Sequence, residues 1–110
     1  MDDNDAILRL LEDRYPFEEA VRARLDLGRE RYGHGIRADD DTTQWGTKTD
    51  SWLEMGLEEI DDLAIYVAAQ LSRMLRGYDV DQSFPAKDFS ELMESLAEVR
   101  KQIMNLMNDA

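Results

Sequence analysis

The chain has 110 residues, six glycines, two prolines, 43% hydrophobic and 35% charged residues, the composition of one folded domain spanning residues 1–110 and not of a disordered or collagen-like chain. With no cysteine and a single histidine, disulfides, thiolate centres and a histidine-built zinc site are excluded, so any metal must be held by oxygen. A formal net charge of −12 repels duplex DNA, membrane surfaces and free nucleotides alike, so a phosphate-bearing ligand would need metal ions to bridge it to the protein.

Ala6 to Arg14 repeats apolar residues at Ile7, Leu10 and Leu11, which predicts a short amphipathic helix. Tyr15-Pro16 interrupts it, and Pro16 is expected to open a second helix with Glu18 and Glu19 in its first turn. That helix is predicted to run to about Tyr32, with Phe17, Val21, Leu25, Gly28 and Tyr32 inward, and to end at Gly33. Gly33 to Asp50 has no periodicity and reads as a long loop around Trp45; loops of this length are often functional.

Ser51-x-x-Glu54 reads as a capping box in which each side chain satisfies one backbone N–H of a third helix. Its core stripe is Leu53, Leu57, Ile60, Ala64, Val67, Ala68, Leu71 and Leu75, closed by Gly77. Tyr78 to Lys87, with Pro85, reads as a linker, and Asp88-x-x-Glu91 as the cap of the last helix. There Phe89, Leu92, Leu96, Val99, Ile103 and Leu106 alternate by three and four, which predicts a seam against another long helix, including that of a second copy. No strand alternation, phosphate loop or internal repeat is present. The expectation is an all-α bundle of about four helices, assembled as a homodimer or dimer of dimers through the C-terminal helix. The acidic N-terminus and the lack of a long apolar run predict neither leader nor membrane span, hence a cytoplasmic protein without membrane or nucleic-acid partners.

The chemistry concentrates at residues 54–62, where five carboxylates fall within nine positions. At about 100° per residue, Glu54, Glu58, Asp61 and Asp62 share one side of the third helix, beside the apolar stripe. Like charges one turn apart destabilise a helix, and carboxylates near a core must be paired, protonated or metal-bound. Magnesium, with manganese as substitute, suits such hard oxygen ligands and bridges to substrate phosphates. The plain alternative is a solvated acidic face, with Glu54 completing a cap and the other acids favouring the helix's first turns.

The segment Glu58-Glu59-Ile-Asp61-Asp62-Leu-Ala-Ile-Tyr66-Val-Ala-Ala resembles the Glu-Glu-x-x-Asp helix of MazG-like proteins in the all-α nucleoside triphosphate pyrophosphohydrolase superfamily. Gly28-Arg-Glu-Arg-Tyr32-Gly33 and Trp52-Leu-Glu54 are similar to small phage-borne members of that group, and the resemblance covers roughly residues 22–72. It implies a magnesium-dependent enzyme, in a host cytoplasm if phage-encoded, in which water attacks the α-phosphorus to give a nucleoside monophosphate and pyrophosphate. Carried over residue by residue, Glu59 and Asp62 match Glu-x-x-Asp, Glu58 matches the preceding acid, and Glu54 is an added ligand. The resemblance thereby implies Glu54, Glu58, Glu59 and Asp62 as metal ligands, Glu58 and Asp62 being the catalytic pair. The family's earlier Glu-x-x-Glu has no counterpart at that spacing among Glu18, Glu19, Asp26 and Glu30.

Around these acids, Lys48, Arg29 and Arg31 are candidates to neutralise triphosphate oxygens, and Trp45 to stack on a base or fold back on the core. His34, after a helix end, is a candidate for proton transfer or plain exposure, and Tyr32 and Tyr66 are expected in the core. A different class is a non-catalytic acidic helical protein that binds a basic partner, such as a phage-type inhibitor of a host protein, and a third is a nucleotide sensor.

Overall fold

Four helices and one short 3-10 turn account for the regular structure of the computed structural model, which describes residues 1–76 and 84–109: α1 (Asn4–Leu11), α2 (Glu18–Tyr32), the 3-10 turn Thr42–Trp45, α3 (Trp52–Leu75) and α4 (Phe84–Asp109). No strand occurs among the described residues, so the protein is all-helical as its periodicity predicts. No described helix is long and apolar enough to cross a membrane. Two compact units divide the chain, Met1–Asp40 and Asp41–Ala110.

In the first unit, α1 lies against α2. Ile7, Leu8 and Leu11 of α1 and Val21, Leu25 and Leu27 of α2 become half-buried. α2 begins at Glu18, two residues later than Pro16 predicts, and ends at Gly33, whose φ of 78° places it in the left-handed region while its N–H donates to the Arg29 carbonyl. Tyr32 is 70% exposed, not a core residue.

The acidic N-terminus is a structural clamp. Asp2 takes Nε and Nη2 of Arg29 at 3.1 and 2.9 Å and accepts the Gly35 N–H at 3.1 Å, while Asp3 accepts the Ala38 N–H at 2.7 Å. Asn4, only 3% exposed, accepts the Ile36 N–H at 2.9 Å. Three consecutive side chains thus pin residues 35–38, which have no regular structure to satisfy their own N–H groups.

In the second unit, α3 and α4 pack as a hairpin of 24- and 26-residue helices, about 36 and 39 Å long at roughly 1.5 Å per residue. α4 begins at Phe84, so Asp88 lies inside the helix instead of capping it. Pro85 is in the first turn, where a missing N–H costs no helical bond. The closing role predicted for Gly77 lies outside the described residues. Leu53, Leu57, Ile60, Ala64, Val67 and Leu71 are half-buried along α3, but Ala68 is exposed and Leu75 is 49% exposed. Tyr66, 66% exposed, also stands outside the core, since α4 covers a single side of α3.

Among the described residues no hydrophobic side chain is fully buried. On α4 the seam divides into two rows: Phe89, Leu96 and Ile103 are half-buried, whereas Leu92, Val99 and Leu106, seven residues apart, remain 40%, 41% and 58% exposed. A two-helix hairpin can cover only one row of such a heptad pattern.

Candidate functional site

The acids of α3 sort into two structurally employed and three with no partner among the described residues. Glu54 is held by the loop before the helix: its Oε1 accepts the Lys48 N–H at 2.9 Å and its Oε2 accepts the Thr49 N–H and hydroxyl at 2.9 and 2.8 Å. The Thr49 and Lys48 donors hold its carboxyl below the usual carboxylate range. Half of the predicted capping box therefore forms: Ser51 Oγ accepts the Glu54 N–H at 3.2 Å, but Glu54 turns to Lys48 and Thr49, and the Ser51 N–H goes to Thr42 Oγ1 at 2.7 Å. Ligation of a metal by Glu54 would require release of these loop donors.

Asp61 faces α4, where Arg100 meets it with Nε at 2.8 Å and Nη2 at 3.2 Å. That fork lowers the Asp61 carboxyl and raises the Arg100 guanidinium. Glu58, Glu59 and Asp62 project to solvent, Glu58 and Asp62 from the side of α3 away from its half-buried stripe and not beside it as the spacing predicts, and no described residue donates to them or pairs with them. Glu58 and Asp62 stand one turn apart on a common face, with Glu59 about 100° round the axis. Among the described residues no group of three or more Asp, Glu, His or Cys side chains is placed to hold a metal ion. The exposed pair Glu58 and Asp62 offers at most two carboxylates to a cation.

Residues 41–51 form a polar knot over the start of α3. Thr42, fully buried, shares a 2.8 Å hydrogen bond with Thr47 and takes its backbone N–H to Asp50 Oδ1 at 3.0 Å. Thr47 Oγ1 donates to the Thr49 carbonyl at 2.6 Å. Asp41 caps the 3-10 turn through the Thr43 N–H. Trp45 folds onto its own unit, its ring 5.5 Å from that of Trp52 and inclined by 37°, leaving it 42% exposed. Lys48 is exposed, and its backbone N–H is held by Glu54, which stands one helical turn before Glu58.

The two arginine candidates belong to the first unit. Arg29 is engaged by Asp2, which raises its guanidinium further, while Arg31 is exposed in the last turn of α2. His34 Nδ1 lies 2.7 Å from the Gly35 carbonyl and Nε2 lies 3.0 Å from Arg37 Nη2. A carbonyl only accepts and a guanidinium only donates, so these contacts fit the neutral ring with hydrogen on Nδ1. Both ring nitrogens are thus engaged within the loop.

Sequence reasoning missed the Asp2–Arg29 clamp and the Asp61–Arg100 fork. The second carried a signal: Arg100 interrupts the otherwise apolar inner face of α4, as a residue paired across a helix interface does. Compared with protein-family models, curated proteins and solved structures, the chain matches none.

Proposed function

We propose that the protein is a magnesium-dependent nucleoside triphosphate pyrophosphohydrolase that converts a (deoxy)nucleoside triphosphate to the monophosphate and pyrophosphate, with Glu58 and Asp62 of α3 as its central carboxylates. The observation that carries this reading is the division of labour among the α3 acids: Glu54 and Asp61 are consumed by the fold, whereas Glu58, Glu59 and Asp62 have no described partner. A like-charged pair one turn apart weakens a helix unless a cation offsets it. The resemblance of residues 58–62 to a Glu-Glu-x-x-Asp helix supports the same assignment.

In this reading Glu58 and Asp62 hold the metal, Glu59 binds it or orients its water, and Glu54 keeps the loop that carries Lys48 and Trp45 docked at the start of the helix. Bound magnesium neutralises phosphate charge and makes a coordinated water a better nucleophile. Lys48 supplies a further positive charge for phosphate oxygens, and Trp45 offers the exposed part of its ring to a base. Of the two arginine candidates, both in the first unit, Arg29 is held by Asp2. The assembled form is a homo-oligomer in which the exposed Leu92, Val99 and Leu106 row of α4 packs against a second copy.

A second reading has its own support. The acids fan into solvent with no described group of three placed for a metal, which suits an acidic helical protein that docks on a basic partner. Thermal unfolding separates the two. Stabilisation by magnesium and a triphosphate together, beyond either alone, and its loss in Glu58→Gln, fit the enzyme. Absence of that stabilisation, with salt-sensitive and metal-independent capture of a basic protein, refutes it.

A further inference from the structure

The face of α3 opposite its half-buried stripe carries charges sorted by sign along the axis. At about 100° per residue, Glu58, Asp62, Ile65, Ala69, Arg73 and Arg76 fall within one arc of roughly 100°, with Tyr66 at its edge. All are exposed, Ile65 and Tyr66 to 62% and 66%. The acids occupy the N-terminal end, the arginines the C-terminal end, and the apolar residues the centre. Glu58 and Arg76 lie nine residues on either side of position 67, and Ile65 and Ala69 lie two on either side. Asp62 and Arg73 match in the same register to within one residue. No described carboxylate meets Arg73 or Arg76.

We infer that a second copy of this chain docks antiparallel on this face, about a two-fold axis level with residue 67, so that Glu58 and Asp62 of each copy meet Arg76 and Arg73 of the other around a centre of Ile65, Tyr66 and Ala69. A two-fold interface uses one patch twice and must therefore be self-complementary. Antiparallel docking satisfies that condition at both ends, while parallel docking sets acid on acid and arginine on arginine. A uniformly basic partner would suit Glu58 and Asp62 but would leave the arginines against like charge. The antiparallel arrangement also opposes the two helix dipoles.

This face is distinct from the α4 row of Leu92, Val99 and Leu106, so the two together make a dimer of dimers. The interface stands without the hydrolase reading. It employs Glu58 and Asp62 as ion-pair partners of arginine, whereas the hydrolase reading employs them as metal ligands, so the two assign the same carboxylates differently.

The chain has no cysteine, which allows a direct test without nucleotide or metal. Ile65→Cys and Ala69→Cys are prepared as single variants, mixed, oxidised under mild conditions and resolved on non-reducing gels. The expected result is a mixed 65–69 disulfide several-fold in excess of 65–65 and 69–69 products. Reversal of the acids (Glu58→Arg with Asp62→Arg) or of the arginines (Arg73→Glu with Arg76→Glu) should abolish it, and all four changes in one chain should restore it. Circular dichroism verifies that each variant is helical. Products joined at like positions, random yields, or no cross-link in helical protein would overturn the interface, whatever the enzymatic result.

Discussion

Replacing Thr42 by valine tests whether the polar knot before α3 is a cooperative part of the fold. Valine keeps the shape but removes a hydroxyl that accepts the Ser51 N–H at 2.7 Å and shares a 2.8 Å bond with Thr47. Thr42 is 0% exposed and Thr47 6%, so water cannot readily replace either bond. Leaving a buried donor unsatisfied costs about 1–3 kcal/mol. With the Ser51 amide and the Thr47 hydroxyl both affected, about 2 kcal/mol is expected, which lowers Tm by roughly 10 °C for a unit of this size. Thr42→Ser keeps the hydroxyl and loses one methyl group, for which about 1 kcal/mol is the expected ceiling. The chain has two tryptophans, and both lie at this knot, 5.5 Å apart. Urea unfolding followed by fluorescence therefore reads the region directly. If Thr42→Val matched the wild-type midpoint, or Thr42→Ser cost as much as Thr42→Val, the hydrogen bonds would not be what holds the loop.

Three further outcomes follow from the same structure. A Cβ at Gly35 would lie 2.5 Å from both amide heteroatoms of Asn4, so Gly35→Ala should cost about 1–3 kcal/mol. Adding Asn4→Ala should make the pair less than additive, and strict additivity in denaturation would argue against this clash. The Asp2 carboxyl is lowered from 3.8 to about 2, chiefly by the Arg29 guanidinium. A depressed folded value means the clamp's contribution is complete above the unfolded value and is lost as pH falls from 3.8 towards 2. Carbon-detected titration of Asp2 should show a midpoint that rises in Arg29→Gln, and an unchanged midpoint would refute the pairing. Finally, Val99→Glu on the exposed α4 row should lower the assembled mass in sedimentation equilibrium while leaving helicity intact, whereas an unchanged mass would place the oligomer contact elsewhere.

What was legible in the sequence is what the chain encodes locally. The 3.6-residue spacing of Leu53, Leu57, Ile60 and Leu71 specifies α3, Ser51 marks its start, and Gly33 marks the end of α2 because a left-handed residue must stand there. The illegible features join residues far apart. Asp2 meets Arg29 and Gly35, and Asp61 meets Arg100, across separations of 27, 33 and 39 residues. No helical or strand period marks such pairs. Tyr66 was misplaced for a related reason: periodicity gives the angle of a residue on its helix but not how much of that helix a neighbour covers. At the candidate site, the acid cluster was visible in advance, but not that the fold would employ Glu54 and Asp61 and leave Glu58, Glu59 and Asp62 without described partners.

The most direct test of the proposed function is pyrophosphate release, screened over common and modified nucleoside triphosphates with magnesium or manganese, and repeated on Asp62→Asn and Glu58→Gln. Both side chains are exposed, so the variants should keep their helicity. The account predicts metal-dependent release of pyrophosphate and nucleoside monophosphate by the wild-type chain, and loss of that release in both variants. Turnover that persists at the wild-type rate in either variant, or no turnover of any triphosphate by the folded wild-type protein, would contradict it.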